Sequence, residues 1–346
     1  LSAQIELGLD TFGDVMIDAG GRVLSHAESI RNIVEQAVLA DGLGIDFIGI
    51  GEHHRADFAV SAPEVVLAGI ATRTSRIKLG SAVTVLSSDD PVRVFERFST
   101  VDALSNGRAE VIIGRGSFTE SFPLFGFDMG DYQQLFEEKI ELFSELIKND
   151  AVTWSGTMRS SLTEQHVYPK LERGTLKTWV GVGGSPESVV RAAHFGLPLM
   201  LAIIGGDPLR FAPYADLYKR ALAQFDRDEL PIGAHSPGHV AASDQQAADE
   251  LFPHFKANRD NIGRERGWPP MTRAEYEQEI AQGALFVGSP ETVASKIVRA
   301  VRGLGLSRFD LKYANGTMPH AQLMSSIGLY GREVLPRVRE MLAAEA

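Results

Sequence analysis

Short apolar runs alternate along this chain with stretches in which apolar side chains recur every third or fourth position. The first pattern suits strands buried on both faces and the second suits amphipathic helices, so their alternation predicts βαβ units around a parallel sheet. Strands are expected at residues 5–9, 47–50, 77–86, 109–113, 178–182, 199–204, 231–240 and 308–312. Between them the pattern predicts helices at about 27–41, 91–104, 132–148, 187–195, 208–225 and 290–303, with a polar helical stretch over 244–282. Ile30, Ile33, Val34, Ala37 and Val38 form one apolar stripe on the first of these helices. Ser61-Ala62-Pro63-Glu64 has the spacing of a capping box, which predicts a further helix starting at Ser61 and running to about residue 73.

Residues 151–173 follow neither period and read as a hairpin-like insertion. Eight strand slots in one repeating order favour a (β/α)8 TIM barrel with insertions over an open doubly wound sheet, as one domain spanning 1–346. A sequence echo accompanies the repeat. Gly184-Ser185-Pro186-Glu187-Ser188-Val189 recurs as Gly288-Ser289-Pro290-Glu291-Thr292-Val293, each a helix start with Ser as N-cap and Pro at the first helical position.

Composition narrows the function classes. The chain has 346 residues, 44% of them apolar, and 34 Lys+Arg against 45 Asp+Glu give a net charge of −11. With no basic run to collect a phosphodiester backbone, nucleic acid is not an expected partner. The absence of cysteine excludes disulfides, thiol nucleophiles, iron–sulfur clusters and cysteine-type zinc sites. Residues 1–10 lack the basic and apolar regions of a signal peptide, and the longest apolar stretch, 197–204, contains Pro198 and falls far short of the roughly 20 residues of a membrane span. A cytoplasmic protein without a membrane partner is therefore expected, although the start at Leu1 leaves earlier processing open.

Several familiar motifs are absent. A G-x-G-x-x-G frame begun at Gly49, Gly114 or Gly181 places His54, Thr119 or Pro186 where the third glycine belongs. There is no Walker A sequence, no G-x-S-x-G elbow and no H-E-x-x-H. His235 and His239 are separated by Pro237 and Gly238, which prevent a shared helical face, so no metal site is expected. Three strand-end constellations remain. Gly51-Glu52-His53-His54 sets two imidazoles beside a carboxylate directly after a strand, where barrel enzymes gather catalytic groups and where histidine can move protons near neutral pH. Gly114-Arg115-Gly116 places a guanidinium between residues that allow close approach, and Gly183-Gly184-Ser185-Pro186-Glu187-Ser188 leads into a helix start, where free amides bind anions. Each also suits an ordinary polar loop or cap, and pattern alone does not say which S-P-E-[ST] copy would hold a phosphate.

Taken in order, these pieces resemble the bacterial luciferase-like flavin monooxygenase family. The resemblance rests on Gly51-Glu52-His53-His54, on Arg76-Ile77-Lys78-Leu79-Gly80-Ser81-Ala82-Val83-Thr84-Val85-Leu86, and on Asp90-Pro91-Val92-Arg93. It continues through Leu104-Ser105-Asn106-Gly107-Arg108 and Gly114-Arg115-Gly116 to the 181–197 stretch with Arg191-Ala192-Ala193. It covers most of the chain, with 244–282 adding little. What it implies is a TIM barrel that binds reduced FMN non-covalently at the carboxyl ends of its strands. By position, Glu52 and His53 would lie by the isoalloxazine, with His53 as catalytic acid/base and His54 in support. The Ala82-Val83 peptide matches a non-prolyl cis bond under the ring. Arg115 would meet the phosphate, with Gly183, Gly184, Ser185 and Ser188 opposite, which prefers the first S-P-E-[ST] copy. Phosphate would then sit after strands four and five rather than after seven and eight, the usual place in such barrels. Ser117 and Phe118 depart from luciferase proper, which argues against light emission.

The activity implied is oxidation of a small organic substrate by O2 through a flavin C4a-hydroperoxide, with reduced FMN supplied by a separate flavin reductase and with a homodimer as the assembly. Two alternatives stand beside it: an F420-dependent hydride-transfer oxidoreductase, and a non-catalytic flavin-binding protein on the same barrel. Phe118, Phe122, Phe125 and Phe127 are candidates either to wall an apolar substrate pocket or to fill the core.

Overall fold

The computed structural model describes residues 5–344. Eight parallel strands, β1 (Glu6–Thr11), β2 (Phe47–Ile50), β3 (Lys78–Ser81), β4 (Ala109–Gly114), β5 (Lys177–Val182), β6 (Leu199–Ala202), β7 (Ile232–Val240) and β8 (Arg308–Lys312), pair in chain order. The ring closes where β8 pairs with β1, so Leu9 faces Ile48 on one side and Leu311 on the other. This is the TIM barrel that the alternating pattern predicts, and closure leaves the eight strands no free edge.

Helices cover the outside through their apolar faces. In Pro290–Leu304, for example, Val293, Ala294, Ile297, Val298 and Val301 are buried at helical spacing, Ser289 caps the start and Gly305 ends the helix with a φ of 65°. Inside the barrel Phe47, Ile112, Trp179 and Met200 pack together with Ala82. Beneath them the fully buried Arg308 lies 3.7 Å from the Phe47 ring centroid and donates to Glu110 at 2.6 Å. Burial alone would raise the Glu110 carboxyl, but Arg308, then Lys177 and Lys78, outweigh it and hold that group at about 2. The amino-terminal end of the barrel is thus plugged, and open space remains at the carboxyl end.

Three local expectations are corrected. Ser61 does not cap the second helix, Pro63–Ala71; Ala62 is its N-cap without a side-chain bond, and Glu64 instead meets Arg97 at 2.8 Å. A capping box does form at Ser25 and Glu28, which share the same S-x-x-E spacing. The third strand does not run unbroken over 77–86. After Ser81 comes the Ala82–Val83 peptide, which is cis, then Thr84–Val85 paired with β4 and a single turn at Leu86–Ser88. Finally, 244–282 divides at Gly267 into Asp244–Arg266 and Arg273–Gln282, and a short strand, Phe286–Gly288, pairs with the upper half of β7. The excursion at 151–173 contains an antiparallel pair, Ala151–Trp154 with Leu162–His166.

Candidate active site

A cavity of about 510 Å3 opens at the carboxyl end of the barrel, within the range of about 300–1,000 Å3 usual for small-molecule and cofactor sites. The candidate catalytic and cofactor-binding residues line it: Glu52, His53, His54, Ala82, Val83, Arg115, Gly183, Gly184, Ser185 and Ser188.

The chain enters the cavity from β2 through Gly51, whose missing side chain would collide with Phe12 and the Ala82 carbonyl. Glu52 then turns inward and is buried. One of its oxygens lies 2.9 Å from Nε2 of His54, and the other accepts the Val85 amide at 2.7 Å. Both carboxylate oxygens are therefore engaged, and the residues that follow the Ala82–Val83 peptide are tied to the end of β2. His53 has a different environment. Its ring stacks on Phe58 with centroids 4.3 Å apart, meets Phe12 at 5.0 Å and takes the edge of Phe118 at 5.2 Å. Burial first, then the charges of Lys312, His54 and Arg55, push this imidazole down to about 3. At neutral pH His53 is an uncharged ring that can accept or donate a hydrogen bond.

Glycines shape the floor. A Cβ on Gly114 would lie 2.8 Å from Val83 Cγ2, one on Gly181 3.0 Å from Val83 Cγ1, and one on Gly116 2.8 Å from Val85 Cγ1. The absent side chains on β4 and β5 make a cradle around the 83–85 segment that a larger residue would fill.

At the other end lies the start of helix Pro186–Phe195. Ser185 caps it by accepting from the Ser188 amide, and Gly184 has a φ of 119°, backbone that favours glycine. Arg115 also lines the cavity, 5.5 Å from the Tyr132 ring and, among the described residues, hydrogen-bonded only to Gln133, at 3.1 Å. Arg191, which the sequence reading did not select, donates to Ser188 Oγ at 3.4 Å and to Glu137 at 2.9 Å. At this helix start Pro186 has no N–H, the Ser188 amide is taken by Ser185, and Glu187 accepts from Ser185 Oγ at 2.7 Å, so an anion would be met by the Ser185 and Ser188 hydroxyls and the Arg115 and Arg191 guanidinium groups. The second copy of the motif is spent internally. Asp244 accepts the Ser289 amide at 2.7 Å, so a carboxylate of the chain itself occupies that helix start, away from the cavity.

The four phenylalanines divide between both expectations. Phe118 lines the cavity and Phe122 is buried against Tyr132, whereas Phe125 is half exposed beside His54 and Phe127 carries the Lys139 ammonium 4.0 Å from its centroid. A roof comes from the region that offered least in the sequence. Arg55 holds Glu265 at 2.6 Å and also Glu120, Asn261 donates to Asp57 at 2.9 Å, and Arg266 donates to the Ser117 carbonyl at 3.1 Å. The end of helix Asp244–Arg266 thereby clamps the loops after β2 and β4.

Sequence reasoning missed Asp10, Phe12, His235 and Asp310, which also line the cavity. His235 and His239 do part company, His235 turning to Asp10 at 2.7 Å and His239 to Glu250 at 2.8 Å. Burial raises the Asp310 carboxyl well above its usual range. The available signal was a charged side chain near the end of an otherwise apolar strand, where no partner was visible to explain it.

This site stands in a recognisable lineage. The luciferase-like monooxygenase family profile matches residues 11–308. The alkanal monooxygenase alpha chain of Photorhabdus laumondii is 24% identical over 95% of this chain and 98% of its own length. The oxygenating constituent of 3,6-diketocamphane monooxygenase of Pseudomonas putida, solved with FMN, superposes with a TM-score of 0.77 at 17% identity, over 97% and 99% of the two chains. The F420-dependent tetrahydromethanopterin reductase of Methanopyrus kandleri gives 0.72 at 17% identity, over 97% and 100%. These two structural likenesses carry the fold. The family match carries more: this chain belongs to the luciferase-like monooxygenase family and is an oxidoreductase of that class.

Proposed function

We propose that the protein is a flavin-dependent monooxygenase that takes reduced FMN from a separate flavin reductase and uses O2 to oxidise a small organic substrate, acting as a homodimer. The observation that carries this reading is one cavity with an anion site at one end and a neutral imidazole in an aromatic wall at the other. Arg115 and the Ser185 and Ser188 hydroxyls would hold the FMN phosphate, and the glycine cradle around Val83 leaves room for a flat ring. When bound, reduced flavin supplies two electrons for O2, one oxygen atom going to the substrate and the other leaving as water.

The chain itself positions, shields and handles protons. Glu52 fixes His54 and the 83–85 segment, His53 offers an uncharged hydrogen-bonding ring, and the roof held by Arg55 limits the access of water. Within this site the exposed carboxylates of Glu187 and Glu137 accept from Ser185 Oγ at 2.7 Å and from Arg191 at 2.9 Å. The substrate end, with Phe12, Phe58 and Phe118, suits a largely apolar neutral molecule.

An anaerobic titration with reduced FMN and reduced F420, followed by admission of oxygen, tests this reading. Tight FMN binding with oxygen consumption coupled to a screened substrate supports it. Preference for F420 with hydride transfer, or flavin reoxidation at the free-solution rate with every substrate, overturns it.

A further inference from the structure

The cavity holds a second imidazole that has no part in the reading above. His235 on β7 is 8% exposed, and its Nδ1 lies 2.7 Å from Oδ2 of Asp10, on the neighbouring side of the barrel in β1. An ionised carboxylate only accepts, so the contact fixes the tautomer of the neutral ring: Nδ1 carries its hydrogen toward Asp10, and Nε2 keeps a lone pair. Nε2 has no hydrogen-bond partner among the described residues and is open to the cavity.

Few charged or titratable groups face this ring. Asp10 comes from β1, Asp310 lies beside His235 in the β7–β8 register, and Lys312, also on β8, sits 4.5 Å from the Phe12 centroid. His53 stands on the far side of Phe12, whose centroid is 5.0 Å from His53 and 5.9 Å from His235. Lys312 is engaged by Asp14, Asn315 and the Ala314 carbonyl, and burial raises the Asp310 carboxyl. The two imidazoles that flank Phe12 thus have opposite surroundings. His53 is wrapped in rings, whereas His235 is backed by a carboxylate. Such separation of environments assigns acid–base roles.

We propose that His235, oriented by Asp10, is the proton acceptor of this cavity, taking a proton at Nε2 from a reacting O–H or N–H group. A new N–H bond forms at Nε2 as the donor bond breaks, the electron pair stays on the donor atom, and Asp10 remains a carboxylate throughout. His235 is the catalytic residue here and Asp10 its positioning residue. This inference rests on the proposed function only in placing the reacting groups in this cavity.

Two variants and one direct measurement test it. FMN affinity is measured by quenching of flavin fluorescence, and reoxidation of bound reduced FMN is followed by stopped flow from pH 5.5 to 8.5, which needs no organic substrate. His235→Gln, which has no basic nitrogen, is expected to reoxidise bound flavin more slowly by about tenfold or more and to lose the part of the wild-type pH dependence that the imidazole supplies. Asp10→Asn removes the charge that stabilises the imidazolium and should move the midpoint of the wild-type limb to lower pH. Both variants should bind FMN within about threefold of wild type, since neither residue belongs to the anion site. A rate ratio between wild type and His235→Gln that is constant across the pH range overturns the proposal and leaves the flavin reading intact. Failure of wild type to bind FMN overturns the flavin reading instead. In that case, or if a variant does not fold, ring-nitrogen NMR of wild-type protein decides on His235: the Nδ1–H tautomer supports the proposal, and the Nε2–H tautomer overturns it.

Discussion

Glu52 accepts the backbone amide of Val85 at 2.7 Å, a bond that joins the end of β2 to the turn after β3 and makes one rigid wall of two loops. Because the amide is buried with the carboxylate, removing the acceptor leaves an unsatisfied donor. Glu52→Ala should cost about 1–3 kcal/mol of stability. Glu52→Gln keeps an oxygen for Val85 and should lose less. Thermal unfolding of the two variants checks the order, and equal losses would show that the Val85 bond is not what Glu52 supplies.

The half-buried His53 ring makes stability depend on pH with a definite sign. In the unfolded chain this imidazole takes up a proton near its ordinary value of 6.5, whereas in the fold it resists protonation down to about 3. Between those values the unfolded state binds more protons, so stability is fully present above about pH 6.5 and falls as the pH is lowered below it. The slope from this one group approaches about 1.4 kcal/mol per pH unit. His53→Phe keeps a ring and has no proton to bind. Unfolding followed from pH 7.5 to 4.5 should therefore show wild type losing stability relative to His53→Phe as acid is added, and parallel curves would remove the assignment.

Arg115 lines the cavity with the start of helix Pro186–Phe195 and has, among the described residues, a single side-chain hydrogen bond, to Gln133. If it meets a phosphate, Arg115→Ala loses one charge-assisted hydrogen bond, about 1.5–3 kcal/mol, or roughly ten- to a hundredfold in affinity. Riboflavin carries the same ring system without the phosphate. Calorimetric titration should show Arg115→Ala weakened toward FMN and unchanged toward riboflavin, and equal weakening of both would place Arg115 elsewhere in the site.

Much of this was legible in order along the chain. The eight strand slots, the strand-end position of Glu52, His53 and His54, and the helix start at Ser185 follow from local pattern, and all of these residues line the cavity. The Ser61 cap was misplaced because S-x-x-E spacing occurs at both 25–28 and 61–64, and Arg97, remote in sequence, captures Glu64. His235 was passed over because its partner, Asp10, lies 225 positions away. The roof was invisible for the same reason: Glu265 and Arg266 read as the polar end of a helix until Arg55 and Ser117 come within reach.

By itself the sequence determined the periodicities, and hence a parallel barrel with polar groups gathered at strand ends, because hydrophobic spacing and capping act over a few residues. Only the tertiary structure decided which copy of the S-P-E-[ST] motif lines the cavity. Asp244 fills the start of helix Pro290–Leu304, while the start of helix Pro186–Phe195 opens to the cavity opposite Arg115. Barrel closure also decided that Asp10 and His235 meet, since it brings strands from the two halves of the chain around one axis, a proximity that no local pattern encodes.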